Sequence, residues 1–309
     1  MGTAAFVTTD VFTTERFAGN PLAVFPDARG ISDEAMQKIA AEFGYSEITF
    51  VLPPEDPAND ARVRIFTPTA EIPFAGHPNV GTAFVLGQES HLFGRAIGDV
   101  LRFEEKAGLV EVVLKRDGVS VVGATIRAPQ PLVIGKTVPP QLVVACACLP
   151  DDALRLDRHP PRHVSVGLPF VVAEVCDLET LGSARPNLAA FGDAAADTAD
   201  AQGLSDHEFS LFLYVRGDND PWHLRARMFA PLDNVIEDPA TGSASGALSA
   251  FLVSLDDRAD AEFQITIEQG VEMGRRSLIE VAVTKEVGTA RDVRISGRCV
   301  SVMEGRIAF

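Results

Sequence analysis

The sequence has few cysteines, a deficit of positive charge and no long apolar run. Its 309 residues include only four cysteines, too few for a disulfide scaffold, and we expect all four to be buried free thiols in a cytoplasmic protein. The longest strictly apolar run extends only from Leu142 to Leu149, whereas a membrane-spanning helix needs about 20 residues. The first basic residue is Arg16, so no secretory signal is predicted.

Acidic residues outnumber basic ones. The chain has 43 Asp and Glu against 27 Lys and Arg, a formal net charge of −16. That balance repels nucleic acid and anionic membranes, so we expect neither as a partner. Hydrophobic residues make up 46% of the chain, an ordinary globular composition. At about 150 residues per domain, the length predicts about two domains.

Short segments rich in Val, Ile, Phe and Thr predict strands along most of the chain, for example at 48–52. A helix is predicted between the N-cap Ser32 and the stop signal Gly44. Strands and helices do not alternate regularly, which favours an α+β fold over a doubly wound sheet. Four prolines in 127–141 indicate a crossover between domains. Residues 182–203, rich in Ala and Asp, predict a surface helix and loop.

Two parts of the sequence resemble each other. In the first half, residues 64–68 (RIFTP) lead to Gly76 and a small-residue apolar stretch. In the second half, residues 227–231 (RMFAP) lead to Gly242 and a similar stretch. Both read as strand, proline-marked loop, glycine turn and helix. A true repeat would make two similar domains, each directing a helix N-terminus into the cleft between them.

The two glycine turns provide candidate binding residues. A helix N-terminus has unpaired N–H groups and partial positive charge, so it binds carboxylate or phosphate. Glycine also lets a ligand approach the backbone closely. Gly76, Gly242 and Ser243 are therefore candidate anion-binding residues. Taken singly, each reads more simply as part of a helix cap, but the matched pair favours binding.

Three side chains near these turns can transfer protons. His77 titrates near neutral pH, and Asp238 can act as an acid/base or orient an amine. Glu47 begins an apolar strand, where partial burial would raise its pKa. Each has a structural alternative: a capping histidine, a turn aspartate before proline and a solvent-facing glutamate.

Several other kinds of active site lack support in the sequence. The segment 242–246 has alanine where a nucleophile elbow has serine. No G-x-G-x-x-G fingerprint and no H-E-x-x-H motif occurs. His159 and His163 have the spacing of a helical metal pair, but Pro160 and Pro161 lie between them. We expect neither a metal nor any other cofactor.

Motifs along nearly the whole chain resemble the phenazine-biosynthesis isomerase (PhzF-like) family, within the diaminopimelate-epimerase-like fold. They are 10–12 (DVF), 17–24 (FAGNPLAV), 45–51 (YSEITFV), 64–68 (RIFTP), 73–78 (PFAGHP), 237–244 (EDPATGSA), 268–270 (EQG) and 273–275 (MGR). The resemblance implies two similar domains, each a mostly antiparallel sheet wrapped around a central helix, with the active site in the cleft between them. We expect the domains to comprise residues 1–118 plus 298–309 and residues 119–297, and the protein to form a homodimer.

The resemblance also implies isomerisation by proton transfer without a cofactor. The positions that match the family's functional residues are Glu47 (acid/base), His77, Asp238 and Ser243 (active site), and Gly76 and Gly242 (amides that hold the substrate carboxylate). Related epimerases and racemases use a cysteine pair in the two loops, but the four cysteines here lie elsewhere. Asn79 and Val80 stand where the family usually has Thr-Leu, and Arg276 stands where proline is common. None of these departures removes a catalytic group.

We therefore expect a cofactor-independent isomerase that moves a proton between carbons of a small carboxylate, cyclic or amino-substituted. Glu47 would transfer the proton, while His77 and Asp238 would bind the polar substituent. Two alternatives stay open at this point. One is a non-catalytic small-carboxylate binding protein that retains the cleft, and the other is a hydrolase that acts through Ser243.

Overall fold

The computed structural model describes residues 2–199 and 209–309. Its helices are α1 (Asp33–Phe43), α2 (Gly76–Leu86), α3 (Pro140–Ala147), α4 (Leu178–Ser183), α5 (Leu188–Ala199) and α6 (Gly242–Ser254), with a short 3₁₀ turn at Pro231–Asp233. Its strands are β1 (Thr3–Val11), β2 (Asn20–Phe25), β3 (Ile48–Leu52), β4 (Ala61–Phe66), β5 (Glu71–Ile72), β6 (His91–Leu92), β7 (Arg95–Ala96), β8 (Val100–Glu105), β9 (Gly108–Asp117), β10 (Ser120–Arg127), β11 (Val133–Thr137), β12 (Arg162–Ser165), β13 (Pro169–Glu174), β14 (Leu211–Arg216), β15 (His223–Ala230), β16 (Val235–Asp238), β17 (Ala261–Gln269), β18 (Ser277–Glu286) and β19 (Thr289–Ala308). The predicted α+β class is confirmed.

Local sequence signals set several element boundaries. Oγ of Ser32 accepts the backbone N–H of Ala35 at 3.2 Å and caps α1. Gly44 ends the helix in the left-handed conformation, with φ 63°, as the sequence predicts. The predicted strand at 48–52 is β3. The predicted surface helix in 182–203 corresponds to α5 together with the end of α4, and residues 200–203 lie outside the described residues.

The chain divides into two compact units. The first comprises Met1–Arg127 and Ser296–Phe309, and the second comprises Ala128–Ile295. The boundaries predicted from the sequence lie after residues 118 and 297 instead. The difference arises mainly from β10, which pairs antiparallel with β9 and so belongs to the first unit.

The strands of the first unit pair in a continuous order. The C-terminal part of β19 pairs with β1, followed by β2, β3, β4, β8, β9 and β10, and β10 pairs again with β19. The β2–β3 and β4–β8 pairings are parallel. This closed order makes a barrel-like sheet, which leaves few unpaired strand edges.

Helix α2 lies inside the sheet of the first unit. All eleven of its residues are buried, and its sequence has no charged face that would have to reach water. A Cβ added at Gly81 would lie 2.6 Å from Cδ2 of Leu22 and 2.7 Å from a methyl carbon of Val11. Glycine is therefore required where the helix meets β1 and β2.

The second unit has a comparable arrangement. Its strands pair in the order β11, β12, β13, β14, β15, β17 and β18, with β13–β14 and β15–β17 parallel. Helix α6 is buried along its length except at Ser243 and Ser254. A Cβ added at Gly246 would lie 3.1 Å from Cδ1 of Ile295. The two glycine-containing helices of the sequence repeat are thus the internal helices of their units.

Further helices pack on outer faces of the sheets. In the first unit, α1 covers an apolar cluster formed by Ala4, Ala23, Phe25, Ala28, Ile31, Met36, Ile39, Ala40, Ile48, Phe50 and Phe66. In the second unit, α3 and α5 contribute to a cluster that includes Val143, Ala147, Val171, Phe191, Phe209, Leu211 and Leu213. Each unit therefore has its own hydrophobic core.

The four cysteines are free thiols, as predicted. Cys146 and Cys299 are buried, Cys176 is partly exposed and Cys148 is exposed, so the prediction that all four are buried is wrong. Cys148 is the C-cap residue of α3 and has the left-handed conformation.

Among the described residues, none of the helices combines the length and apolar character needed to cross a membrane.

Candidate functional site

Glu47 and His77 meet in the first unit. Glu47 directly precedes β3, His77 is the second residue of α2, and Oε2 of Glu47 lies 3.7 Å from Nε2 of His77. Their side chains are 19% and 6% exposed, so Glu47 is not the solvent-facing residue of the alternative interpretation. Burial raises the pKa of Glu47 to about 7, against an opposing hydrogen bond from Ser46. A carboxyl with that pKa exchanges protons at neutral pH, as a general acid/base must.

Hydroxyl groups make hydrogen bonds that fix the backbone segments on which Glu47 and His77 lie. Oγ1 of Thr49 on β3 and Oγ1 of Thr82 on α2 are hydrogen-bonded at 2.8 Å, and both residues are fully buried. The residue before Glu47 is tied to β2, because Oγ of Ser46 donates to Oδ1 of Asn20 at 3.3 Å. One hydrogen bond thus links β3 to the helix that carries the imidazole, and the other links the segment of Glu47 to β2.

Gly76 begins α2 directly beside this pair. The N-cap residue is Ala75, whose methyl group cannot accept a hydrogen bond from the first turn. The N-terminal end of a helix carries N–H donors and partial positive charge. Because Ala75 does not cap them, this end of α2 suits a carboxylate next to Glu47 and His77.

Asp238 belongs to a buried hydrogen-bond cluster in the second unit. Oγ1 of Thr241 donates to Oδ2 of Asp238 at 2.5 Å. Gln269 of β17 donates from Nε2 to the carbonyl of Asp238 at 2.7 Å and accepts the N–H of Thr241 at 3.0 Å. The three residues are 7%, 8% and 0% exposed. Asp238 is therefore held by specific partners and is more than an isolated turn residue.

The loop between Asp238 and α6 is also held from the β17–β18 connection. Oγ of Ser277 donates to the carbonyl of Pro239 at 2.8 Å. Gly270 has φ +73°, and a Cβ there would lie 2.5 Å from the carbonyl oxygen of Arg275 and 2.6 Å from that of Pro239. The backbone at Gly270 therefore lies so close to the carbonyls of Arg275 and Pro239 that only glycine fits at this position.

Gly242 and Ser243 form the N-terminal end of α6. The N-cap Thr241 directs its hydroxyl to Asp238 and makes no side-chain cap. Gly242 is buried, while Ser243 is the first residue of the helix with partial exposure. This helix start, like that of α2, therefore presents backbone donors that suit an anion.

Each glycine turn is preceded by an Arg–Glu pair of the same geometry. Arg64 makes two hydrogen bonds of 2.8 Å to Glu71, and Arg227 makes two of 2.8 Å to Glu237. Each guanidinium also lies over the phenylalanine two positions further along its strand, at 5.1 and 4.9 Å from the ring centroid. In each unit the glutamate stands five residues before the glycine (76 − 71 and 242 − 237). The sequence repeat is therefore a structural repeat that anchors the segment before each turn.

The structure brings together Glu47, His77 and Gly76 in one unit, and Asp238, Gly242 and Ser243 in the other. No function was predicted from the sequence for the residues that position them: Thr49, Thr82, Arg64, Glu71, Arg227, Glu237, Thr241, Gln269 and Ser277. A signal existed for five of them, because they lie in the family-like motifs at 45–51, 64–68, 237–244 and 268–270: Thr49, Arg64, Glu237, Thr241 and Gln269. Thr82 and Ser277 lie outside those motifs, and their hydrogen-bond partners are distant in sequence.

Comparison with known proteins places the chain in a family. Residues 9–305 match the PhzC-PhzF family, described as phenazine biosynthesis-like protein. The chain belongs to this family. A trans-2,3-dihydro-3-hydroxyanthranilate isomerase of Pseudomonas aeruginosa is 36% identical to this PhzC-PhzF family member over 302 residues, covering 97% of this chain and 98% of that protein. An uncharacterised isomerase of Mesorhizobium japonicum is 37% identical over 310 residues, covering 99% of each. The predicted class, an isomerase of the PhzF-like type, is confirmed.

Solved structures agree with this family assignment. A phenazine biosynthesis protein of the PhzF family from Bacillus anthracis superposes with a TM-score of 0.87 at 27% identity, covering 100% of both chains. A hydroxyproline epimerase from Agrobacterium vitis superposes with a TM-score of 0.66 at 12% identity, covering 99% of this chain and 91% of that one. At that identity the second match shows a shared fold only, and it places this PhzC-PhzF protein among the epimerase-like folds.

Proposed function

We propose that this protein is a cofactor-independent isomerase that moves a proton between two carbons of a small cyclic amino-carboxylate. The observation that carries the proposal is Glu47, a buried carboxyl with a pKa near 7, placed 3.7 Å from His77 and beside the uncapped start of α2. The relatives named as trans-2,3-dihydro-3-hydroxyanthranilate isomerases make that compound, or a close analogue, the first substrate to test.

In the proposed mechanism, residues of both units act on one substrate. Glu47 as carboxylate takes a proton from one carbon, the double bond shifts, and the resulting carboxylic acid returns the proton to another carbon. No electrons are gained or lost overall. His77 and Asp238 bind the polar substituents and stabilise the charge that develops on them.

The substrate carboxylate is held by the amides of Gly76 and Gly242, with Ser243 contributing its hydroxyl. The protein has a net charge of −16, which opposes an approaching anion at long range. Local donors at the helix starts must supply the attraction, and each amide directed at developing negative charge is worth about 3 kcal/mol in the transition state.

The test uses trans-2,3-dihydro-3-hydroxyanthranilate in heavy water. We expect the wild type to form product, and the Glu47 carboxyl to exchange its proton with solvent between the two steps, so that deuterium appears at the carbon that receives the proton, detected by NMR and mass spectrometry. Glu47→Gln should abolish conversion and deuterium incorporation, while Glu42→Gln, an exposed substitution on α1, should be without effect. Full activity in Glu47→Gln contradicts the role of Glu47. Ligand-dependent thermal stabilisation without exchange by the wild type would favour the binding-protein alternative.

The proposal includes a homodimer and a cytoplasmic location. Sedimentation velocity at several concentrations tests the dimer. A single monomer-sized boundary throughout would contradict it.

A further inference from the structure

A network of charged side chains in the second unit takes no part in the proposed mechanism. Its centre is Glu268, near the end of β17, whose side chain is 13% exposed. Oε2 of Glu268 lies 3.0 Å from Nε of Arg225, and Oε1 accepts a hydrogen bond from Nε of Arg276 at 2.5 Å. Arg225 also donates from Nη2 to Glu272 at 2.9 Å. One carboxylate therefore joins β15 to the residue that directly precedes β18.

The strand register brings these groups to one place. Arg225 is paired with Glu268 in the parallel β15–β17 ladder. Glu268 is paired with Leu278 in the antiparallel β17–β18 ladder, so Arg276, two positions before Leu278, is its diagonal neighbour. Diagonal neighbours on one face of a sheet are within reach of long side chains. The network therefore follows from the pairing of three strands.

The residues that directly follow Glu268 and Arg276 hold the loop of Asp238. They are Gln269 and Ser277, which are paired with each other across β17 and β18 and are both fully buried. Gln269 donates to the carbonyl of Asp238, and Ser277 donates to the next carbonyl along the chain. Successive side chains of a strand point to opposite faces. The ion pair thus lies on one face of this hairpin, and the two buried hydrogen-bond donors lie on the other.

The loop of Asp238 is held from its other end by the same kind of contact. Arg227, two positions after Arg225 on β15, makes two hydrogen bonds of 2.8 Å to Glu237. Glu237 directly precedes Asp238. The two arginines of β15 therefore each bind a glutamate that directly precedes a residue of the buried hydrogen-bond cluster.

We propose that Glu268 is a positioning residue for Asp238 and acts through Gln269. Arg225 and Arg276 fix its carboxylate, and with it the end of β17 relative to the start of β18. This inference rests on the proposed function of Asp238, which is to bind a polar substituent of the substrate. Without the ion pairs the connection at 270–276 is free to shift, and the buried amide of Gln269 no longer holds the carbonyl of Asp238 in one place.

The first experiment measures hydrogen exchange of the Thr241 backbone amide by NMR in the ligand-free full chain. This N–H donates to Oε1 of Gln269 at 3.0 Å, so its exchange rate reports how often the cluster opens. Glu268→Gln and Arg276→Met remove a charge and nearly preserve the length of the side chain. We expect each to increase the exchange rate about fivefold, the scale of a partly exposed ion-pair network. Salt at about 0.5 M should raise the wild-type rate towards that of the variants.

Rescue and control variants distinguish the ion pair from a general loss of stability. Arg276→Lys keeps the positive charge and should restore most of the protection of Thr241. The double variant Glu268→Gln/Arg276→Met should exchange no faster than Glu268→Gln, because the first substitution already breaks the pair. Glu262→Gln on β17 and Arg291→Met on β19 change exposed charges of the same types and should leave the rate unchanged.

The second experiment measures steady-state kinetics of the same variants with trans-2,3-dihydro-3-hydroxyanthranilate. Displacement of Asp238 should lower kcat/KM about fivefold in Glu268→Gln, and Arg276→Lys should stay near the wild type. The ratio of kcat/KM between the wild type and Glu268→Gln should narrow at about 0.5 M salt, because screening weakens the pair in the wild type alone. Urea unfolding should show both proteins fully folded under the assay conditions, so that a smaller folded fraction does not account for the loss.

The two readouts separate failure of this inference from failure of the proposed function. An unchanged Thr241 exchange rate in Glu268→Gln and Arg276→Met overturns the positioning role whatever the activity. Faster exchange without any change in kcat/KM overturns it too, in a wild type that converts the compound. The expected exchange behaviour in a protein that does not convert the compound supports the hold on the Asp238 loop and rejects the proposed substrate.

Discussion

Oε2 of Glu47 lies 3.7 Å from Nε2 of His77, close enough for the two groups to sense each other's charge and too far for a direct hydrogen bond. The contact joins a residue before β3 to the first turn of α2. The gap leaves the carboxyl oxygen able to reach a substrate carbon while the imidazole stays beside it. Chemistry at this point should follow the protonation state of Glu47.

The activity should increase with pH as Glu47 loses its proton. With a pKa near 7, kcat/KM should fall about tenfold per pH unit below that value and level off above it. Ser46→Ala removes the hydrogen bond that lowers this pKa, so its profile should move to higher pH. The measurement is kcat/KM from pH 5 to 9, and a profile that moves to lower pH in Ser46→Ala would refute the assignment.

The stability of the folded protein should also depend on Glu47. Its pKa in the fold is raised above the usual 4.5, so the unfolded chain releases this proton first as pH increases. The wild type should therefore lose stability relative to Glu47→Gln between pH 4.5 and 7, by roughly 3 kcal/mol. Below pH 4 Glu47 is protonated in both the folded and the unfolded wild type, so its titration should no longer change the stability difference between the two proteins. Urea unfolding of both proteins at several pH values measures the difference, and a constant difference would contradict the raised pKa.

The hydroxyl of Thr241 should support Asp238. Thr241→Val removes the 2.5 Å hydrogen bond to Oδ2 while keeping the side-chain shape, and it leaves a buried carboxylate with one donor fewer. We expect a loss of about 1–3 kcal/mol of unfolding free energy together with a drop in kcat/KM. Thr241→Ser should restore most of both, since it keeps the hydroxyl. Equal behaviour of the valine and serine variants would show that the hydrogen bond is unimportant.

Gly81 should be intolerant of even one added methyl group. Gly81→Ala would place a Cβ 2.6 Å from Leu22 and 2.7 Å from Val11, so the central helix would have to move. Overpacking of this kind costs about 1–3 kcal/mol. Gly182→Ala on α4 is the matched control, because a Cβ there meets nothing within 4 Å, and it should be neutral or stabilising. Denaturant unfolding compares the two, and equal stabilities would argue against the close packing.

The sequence by itself determined the features that depend on neighbouring residues. Ser32 and Gly44 bound α1 because a side-chain cap and a left-handed glycine act within one helical turn. The uniformly apolar, small-residue character of α2 and α6 also marks helices without a solvent-facing side. The candidate residues Glu47, His77 and Asp238 were found from their positions beside the glycine turns and at the start of an apolar strand, together with motif resemblance, and the extent of their burial could not be read from composition.

Only the tertiary structure decided how these residues are held and how they ionise. The Thr49–Thr82 and Thr241–Gln269 contacts join positions 33 and 28 residues apart. Such pairs depend on how strands and a central helix enclose each other, which no local pattern encodes. The pKa of Glu47 is raised for the same reason. The extent to which a carboxyl is desolvated depends on all the groups packed around it. The sequence specifies that environment only through the complete fold.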